Sequence, residues 1–279
     1  MTLSKAPIQS LPLPAALLMV LVALLAGCSG ARPKAGSNAA ALRSEPRLYA
    51  DSTGDCGASH DRSCTWIRLE YPMLSGGRPG VADSLNGQIT RWVLSDGPVD
   101  TPTAPPESVT TRFIDDFKEF ASSMPDAHQA WFSERHAELL LDSLGVVSLR
   151  SDLNAYTGGA HGMHTTLLAS YDAATGRKLA LADLIAPGQQ AALMALGERM
   201  FRATRGIPEG RPLAEAGFFR ETKALALNDN FAVTRDGLLF FYNEYEIASY
   251  ADGPTALKLP WSELTPMMRT DGPLKGLSK

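Results

Sequence analysis

The sequence has little of what several large protein classes require. Only three of its 279 residues are cysteine, which excludes a disulfide-dense scaffold. Basic residues are not in excess, with 26 Lys and Arg against 30 Asp and Glu, and a net charge of −4 argues against nucleic-acid binding. Apolar residues make up 44%, which is too many for a disordered chain. The composition therefore indicates a globular protein of one or two domains.

The N-terminus has the pattern of an export signal. Lys5 precedes an apolar run over residues 11–27, which contains Pro12 and Pro14 and ends in Leu-Ala-Gly before Cys28. A run of about 17 residues is marginal for a membrane-spanning helix, which needs roughly 20, so a transmembrane anchor is the less favoured alternative. The ending Leu-Ala-Gly-Cys resembles the bacterial lipobox, which implies cleavage after residue 27 and lipidation of Cys28.

The residues after the lipidated cysteine suggest where the protein is sorted. Ser29 at this position resembles the outer-membrane signal of Gram-negative lipoproteins, because an aspartate that causes retention is absent. Residues 28–48 are rich in Gly, Ala, Ser and Pro and have little to bury. We therefore predict a signal peptide at 1–27 and a flexible lipidated tether at 28–48. The expected location is the periplasmic face of the outer membrane.

The other two cysteines, Cys56 and Cys64, lie close together in the sequence. An even pair of cysteines in an exported protein indicates a disulfide, because that compartment is oxidising. The alternative is a metal pair completed by His60, although two Cys and one His make an incomplete tetrahedral set.

Hydrophobic periodicity indicates both strands and helices along the chain. Strand-like alternation and helical spacing occur over these residues: strands at 65–71, 131–141, 146–156, 163–172, 231–242 (a hairpin) and 255–259, and helices at 81–93, 108–122 and 189–204. The elements do not alternate as regular βαβ units. We therefore predict an α+β fold: an antiparallel β-sheet meander with helices packed on one face. It would form one continuous sheet or two lobes, at 49–172 and 173–270, followed by a tail at 271–279.

Several short motifs resemble one family. They are Tyr-Thr-Gly-Gly-Ala-His at 156–161, Leu-Ala-Asp-Leu at 181–184, Asn-Phe-Ala-Val-Thr at 230–234, Tyr-Glu-Ile-Ala at 245–248 and Asp-Gly-Pro at 252–254. Together they resemble the RsiV-like extracytoplasmic domains of unknown function, which are shared by RsiV-type anti-sigma factors and some peptidoglycan deacetylases. The resemblance implies an extracytoplasmic module and, for the RsiV type, binding of lysozyme. We expect neither sigma-factor regulation nor deacetylation, because the pattern contains neither a sigma-binding segment nor a deacetylase catalytic domain.

The glycine-rich motif is the first candidate site. Gly158 and Gly159 would allow a tight bend after Tyr156. In that bend His161 would pair with backbone groups, contact a ligand, or bind a metal. The metal alternative needs His164 and a carboxylate such as Asp152, Asp172 or Glu244, although a spacing of three in a strand puts the two histidines on opposite faces.

The Tyr-Glu-Ile-Ala motif at 245–248 supplies the second candidate site, Tyr245 and Glu246. With Tyr242 and Tyr250 nearby, these tyrosines are either core residues or, if exposed, a surface that stacks on sugars or binds a protein.

The pattern favours a binding protein over an enzyme. There is no Gly-x-Ser-x-Gly elbow and no unpaired cysteine nucleophile, and the sequence alone cannot place Glu244, Glu246 and Asp252 at a catalytic separation. We therefore expect an envelope lipoprotein without a cofactor that binds or senses peptidoglycan or a lysozyme-like protein and meets the membrane through its lipid. The alternatives are a wall-modifying hydrolase, using His161 and nearby carboxylates, and a purely structural envelope lipoprotein.

Overall fold

The computed structural model describes most of the chain after the predicted tether. The described residues are 40–54, 56, 64–95, 103–124 and 129–276. The predicted signal peptide, Cys28, Ser29 and His60 lie outside them. No helix in these ranges is both long and apolar enough to cross a bilayer. The described residues belong to one compact unit, Ala39–Lys279.

Five strands form the larger sheet in the order β1-β2-β3-β4-β5. They are β1 (Ala40–Ser52), β2 (Trp66–Gly77), β3 (Phe132–Ser143), β4 (Val146–Tyr156) and β5 (Met163–Asp172). Neighbouring strands are antiparallel except β2 and β3, which are parallel. A parallel pair needs a long crossover connection, and two helices supply it here.

The crossover helices α1 (Val81–Leu94) and α2 (Pro106–Ser123) pack on one face of this sheet. The apolar residues of α1 recur every four positions, so one stripe faces the sheet. That stripe is buried against the alternate residues of β2. The members of this core include Val81, Leu85, Ile89, Val93, Ile67, Leu69 and Tyr71.

A second sheet and its helices follow in the chain. The elements are α3 (Leu181–Leu184), α4 (Gln190–Arg205), β6 (Phe231–Val233), β7 (Gly237–Tyr242), β8 (Thr255–Pro260) and α5 (Trp261–Leu264). The three strands are antiparallel in the order β6-β7-β8. Phe201 of α4 is fully buried, and its ring meets Phe218, Phe219 and Tyr242 edge-on at 5.2–6.4 Å.

Two asparagine side chains join the second sheet to the edge of β5. The amide of Asn243 accepts from Thr166 N at 2.7 Å and donates to Thr166 O at 3.1 Å. Asn230 accepts from Leu168 N at 2.7 Å and also donates to Thr166 O at 2.8 Å. Because an uncovered strand edge presents unpaired N–H and C=O groups, these amides take the place of a sixth strand.

The structure confirms the α+β class and the meander from β3 to β5. It differs from the predictions in two places. Residues 40–48, which we included in the tether, form the first part of β1. The parallel pair of β2 and β3 was also not expected, because it joins residues that two helices separate in sequence.

Candidate functional site

The glycine-rich bend forms where β4 ends. Gly158 and Gly159 have φ angles of 101° and 96°, a left-handed conformation that side chains with a Cβ rarely adopt. The hydroxyl of Tyr156 donates to the carbonyl of Gly159 at 3.0 Å and is hydrogen-bonded to the side chain of Gln129. The chain therefore reverses tightly and presents His161 to solvent.

Both ring nitrogens of His161 are engaged. Nδ1 lies 2.9 Å from the carbonyl oxygen of Gly162, which can only accept, so Nδ1 carries the proton of this bond. In the neutral ring, Nε2 is then an acceptor, and the hydroxyl of Tyr245 lies 3.2 Å from it. The hydroxyl of Tyr250 also donates to Gly162 O, at 3.2 Å.

The rings of His161, Tyr245 and Tyr250 form one group, which we call the ring cluster. His161 stacks on Tyr250 with centroids 3.9 Å apart and an interplanar angle of 21°. Tyr245 is 5.7 Å from Tyr250 and 6.3 Å from His161. Tyr245 is 65% exposed, so the ring cluster presents an aromatic surface to solvent.

A tight turn fixes Tyr245 and Glu246. Glu246 N donates to Asn243 O at 3.2 Å, and the Glu246 carboxylate accepts from Asn243 N at 3.0 Å and from the amide of Asn228. Tyr245 itself has a φ of 65°, a conformation that is uncommon for a residue with a bulky side chain. Strain of this kind costs roughly 1–3 kcal/mol and is concentrated at functional sites.

A cavity of about 400 Å³ lies beside Tyr245. Its volume falls within the roughly 300–1,000 Å³ that small-molecule sites occupy. Two segments line it, one before β6 and one that begins at the last residue of β7. The lining residues are Phe219, Arg220, Glu221, Thr222, Ala226, Asn228, Tyr242, Tyr245, Glu246, Ile247, Ala248 and Ser249. The lining is mixed, with polar side chains at the mouth and the buried Tyr242 behind.

Two family models match the chain. Residues 58–164 match the model described as deacetylase PdaC, and residues 182–262 match the protein of unknown function DUF3298. The chain is thus similar to two families, one in each half. The ring cluster joins them, because His161 lies in the PdaC-like region and Tyr245 and Tyr250 lie in the DUF3298-like region.

Solved structures of DUF3298 proteins share this fold. A DUF3298 family member from Bacteroides fragilis NCTC 9343 is 22% identical, with a TM-score of 0.66 over 87% of this chain and 100% of that one. A DUF3298 family protein from Pseudomonas aeruginosa PAO1 is 21% identical, with a TM-score of 0.56 over 83% of this chain and 96% of that one. No curated protein matches the sequence significantly.

Arg205, at the end of α4, supports the DUF3298-like side of the site. Its Nε donates to Thr255 Oγ1 at 2.9 Å, and its two other nitrogens donate to the carbonyls of Asp252, Gly253 and Pro254 at 3.0–3.2 Å. These contacts hold the loop that carries Tyr250.

A hydrogen bond between Ser249 and Asp252 closes the turn that carries Tyr250. Ser249 Oγ donates to the Asp252 carboxylate at 2.6 Å, and this hydrogen bond lowers the pKa of Asp252. Behind the cavity, burial raises the pKa of Tyr242, whose hydroxyl donates to Ala226 O at 2.8 Å. Tyr242 is therefore a core residue, whereas Tyr245 is a surface residue.

The sequence alone leaves two alternative metal sites open, one at Cys56 and Cys64 and one at His161 and His164. Within those ranges no three His, Cys, Asp or Glu side chains are grouped so that they could hold an ion. Cys56 and Cys64 form a disulfide, with their Cα atoms 5.4 Å apart. Asp152, one of the carboxylates considered for a site with His164, instead pairs with Arg150 at 2.7 Å.

The sequence-predicted residues fall into one neighbourhood. Tyr156, Gly158 and Gly159 build the bend, while His161 and Tyr245 are in contact. Glu246 sits in the turn beside Tyr245 and lines the cavity. Sequence reasoning missed the supporting residues Asn228, Asn243 and Arg205, for which the sequence gives no signal except that two are asparagines flanking apolar strands.

Proposed function

We propose that this protein is a lipid-anchored binding or sensing module of the cell envelope. Its partner is a cell-wall component or a lysozyme-like protein, bound at the ring cluster. The observation that carries the proposal is the aromatic surface of the exposed His161 and Tyr245 and the half-buried Tyr250, which lies next to a cavity of about 400 Å³. The resemblance to RsiV-like extracytoplasmic domains supports the choice of partner.

The hydrogen bonds within the ring cluster support binding over catalysis. His161 donates through Nδ1 and accepts through Nε2, so its ring is held in place by its own neighbours. A general base needs a nitrogen that can take a proton from a reacting group. The aromatic faces, in contrast, keep a contact surface that suits sugar rings and apolar side chains.

The proposed address rests on the sequence. Cleavage before Cys28 and lipidation of its sulfur and amine would anchor the protein stably, since two or more acyl chains suffice. Ser29 favours the periplasmic face of the outer membrane of a Gram-negative bacterium. The disulfide of Cys56 and Cys64 suits that oxidising compartment. Labelling with a palmitate analogue should require Cys28, and fractionation of a Ser29→Asp variant should move the protein to the inner membrane.

Capture by the full chain in detergent tests the binding role. The protein is incubated with insoluble peptidoglycan in one arm and with a soluble muramidase in the other. We expect retention in one arm and a loss of at least about fivefold when Tyr245 and Tyr250 are both changed to alanine. Leu48→Ala is the matched control, because Leu48 is a hydrophobic residue that is 55% exposed on β1. Retention in neither arm would contradict the binding role.

A second candidate is a wall-modifying enzyme. The match of residues 58–164 to the deacetylase PdaC model favours it. In this case His161 would act with carboxylates nearby, and His161→Ala would abolish release of acetate or of sugar fragments from peptidoglycan while the protein stays folded. Unchanged release in that variant would contradict a catalytic His161.

A further inference from the structure

The cavity beside Tyr245 has the chemistry of a sugar subsite. We propose that it binds one pyranose unit of a neutral glycan, with the C–H face of the sugar on the Tyr245 ring and two sugar hydroxyls on the Glu246 carboxylate. This inference rests on the proposed binding function and names the class of ligand at the same site.

The position of Tyr245 supports the first contact. The ring is 65% exposed, although burying an aromatic ring normally stabilises a protein. Its hydroxyl donates its proton to His161 Nε2 at 3.2 Å, so the ring face is the main contact that it offers to a ligand. The backbone of Tyr245, with a φ of 65°, is strained. Packing in a core does not offset this strain, because neither hydrophobic core includes Tyr245.

Glu246 supports the second contact. A carboxylate has about four acceptor sites on its two oxygens. One oxygen accepts from Asn228 and the other from Asn243 N, so each oxygen keeps one further acceptor site. Two acceptor sites on this exposed carboxylate suit two neighbouring hydroxyls of a sugar. Because the side chain of Glu246 is already held in place, binding does not have to restrict its rotation.

The charges around the cavity favour a neutral ligand. Arg220 lies in the lining with Glu221 and Glu246, so both signs are present at the mouth. An anionic polymer would meet the two glutamates, and a cationic peptide would meet the arginine. Neutral sugars present hydroxyls and an apolar C–H face, which match the carboxylate and the tyrosine ring.

Calorimetric titration of the full chain in detergent with chitotetraose, a neutral β-1,4-linked N-acetylhexosamine oligomer, tests the inference. Tyr245→Asn removes the ring and keeps the turn, because asparagine tolerates the left-handed conformation. We expect Tyr245→Asn to weaken binding at least about tenfold and Glu246→Gln about fivefold. Tyr245→Phe keeps the ring and should stay within about twofold of the unmodified protein. Leu48→Ala is the control, because Leu48 is a hydrophobic residue that is 55% exposed and lies on β1.

The possible outcomes separate this inference from the proposed function. A protein that captures peptidoglycan or muramidase but does not bind chitotetraose would overturn the sugar subsite and leave the binding role standing. Tyr245-dependent binding of a lysine-rich peptide that weakens with salt would overturn it in favour of a cationic protein partner. Saccharide binding that Tyr245→Asn leaves unchanged would also overturn it, because the sugar would then bind elsewhere.

Discussion

We expect Arg205→Ala to destabilise the protein and to loosen the ring cluster. The Arg205 guanidinium donates to Thr255 Oγ1 and to the carbonyls of residues 252–254, and it lies 4.9 Å from the centre of the Phe218 ring. Alanine cannot replace any of these contacts. The loop over residues 250–254 would therefore lose its main attachment to α4.

The size of the effect follows from the buried part of this network. Two of the acceptors are partly buried: Gly253 O, and Thr255 Oγ1, which accepts from both Nε and Nη2. Each contributes about 1–1.5 kcal/mol, and the contact with Phe218 adds about 0.5–1 kcal/mol. The free energy of unfolding should fall by about 3 kcal/mol, which lowers the Tm by roughly 6–12 °C for a unit of this size.

Two measurements check the prediction. Urea unfolding followed by circular dichroism gives the stability of Arg205→Ala. The ¹H signal of the His161 ring reports the local effect, because the Tyr250 ring lies 3.9 Å away and shifts that signal. The protein has only five histidines, so a His161→Gln variant assigns the signal. In Arg205→Ala the signal should move toward the value of an unstacked histidine.

A second arginine of α4 provides the control. Arg199 pairs with Glu263 at 2.9 Å, but both side chains are about half exposed, at 60% and 49%. Its replacement by alanine should cost at most about 0.5 kcal/mol. If Arg205→Ala costs no more than this control and leaves the His161 signal in place, the argument that Arg205 holds the Tyr250 loop is wrong.

Three further predictions concern stability. Burial alone would raise the pKa of Asp152, but the hydrogen bonds from Arg150 and Thr166, together with the charge of Arg150, outweigh it and lower that pKa. The pairing of Asp152 with Arg150 therefore stabilises the fold above about pH 4, and its contribution is lost as the pH falls further. Urea midpoints should therefore drop less between pH 6 and pH 3 for Asp152→Asn than for the unmodified protein, and an equal drop would contradict this. Gly237→Ala should cost about 3 kcal/mol or more in the same assay, because its Cβ would lie 1.9 Å from Leu259 O. Gly87→Ala, in the open middle of α1, should instead stabilise by up to about 1 kcal/mol.

The elements that the sequence predicts correctly have a local cause. The stripe of Val81, Leu85, Ile89 and Val93 is buried as a unit, because helical spacing alone puts these residues on one face. The same holds for the alternation in β2, whose residues pack under that stripe. In both elements the pattern that favours the local structure also makes the core.

Other elements depend on partners that the pattern does not show. β1 carries Arg43, Glu45, Pro46 and Arg47, which is the composition of a flexible segment and equally of an edge strand protected from aggregation. Only pairing with β2 decides between the two. The parallel contact of β2 with β3 is also non-local, because two helices lie between them in sequence.

In the candidate site, too, local features could be predicted from the sequence and contacts between distant residues could not. The Gly-Gly bend could be predicted, because left-handed glycines and a following exposed histidine are local features. The contact of His161 with Tyr245 could not, since 84 positions separate them. Arg205 is 50 positions from Thr255, and nothing in either neighbourhood marks the pair.

The hydrogen bonds inside the ring cluster limit what a ligand can use. Gly162 O accepts from both His161 and Tyr250, which occupies its two lone pairs, and Tyr245 points its hydroxyl at His161. The hydrogen-bond donors of all three rings are thus satisfied within the protein. A ligand at this surface therefore gains mainly from contact with ring faces, and its polar specificity has to come from the neighbouring Glu246 carboxylate.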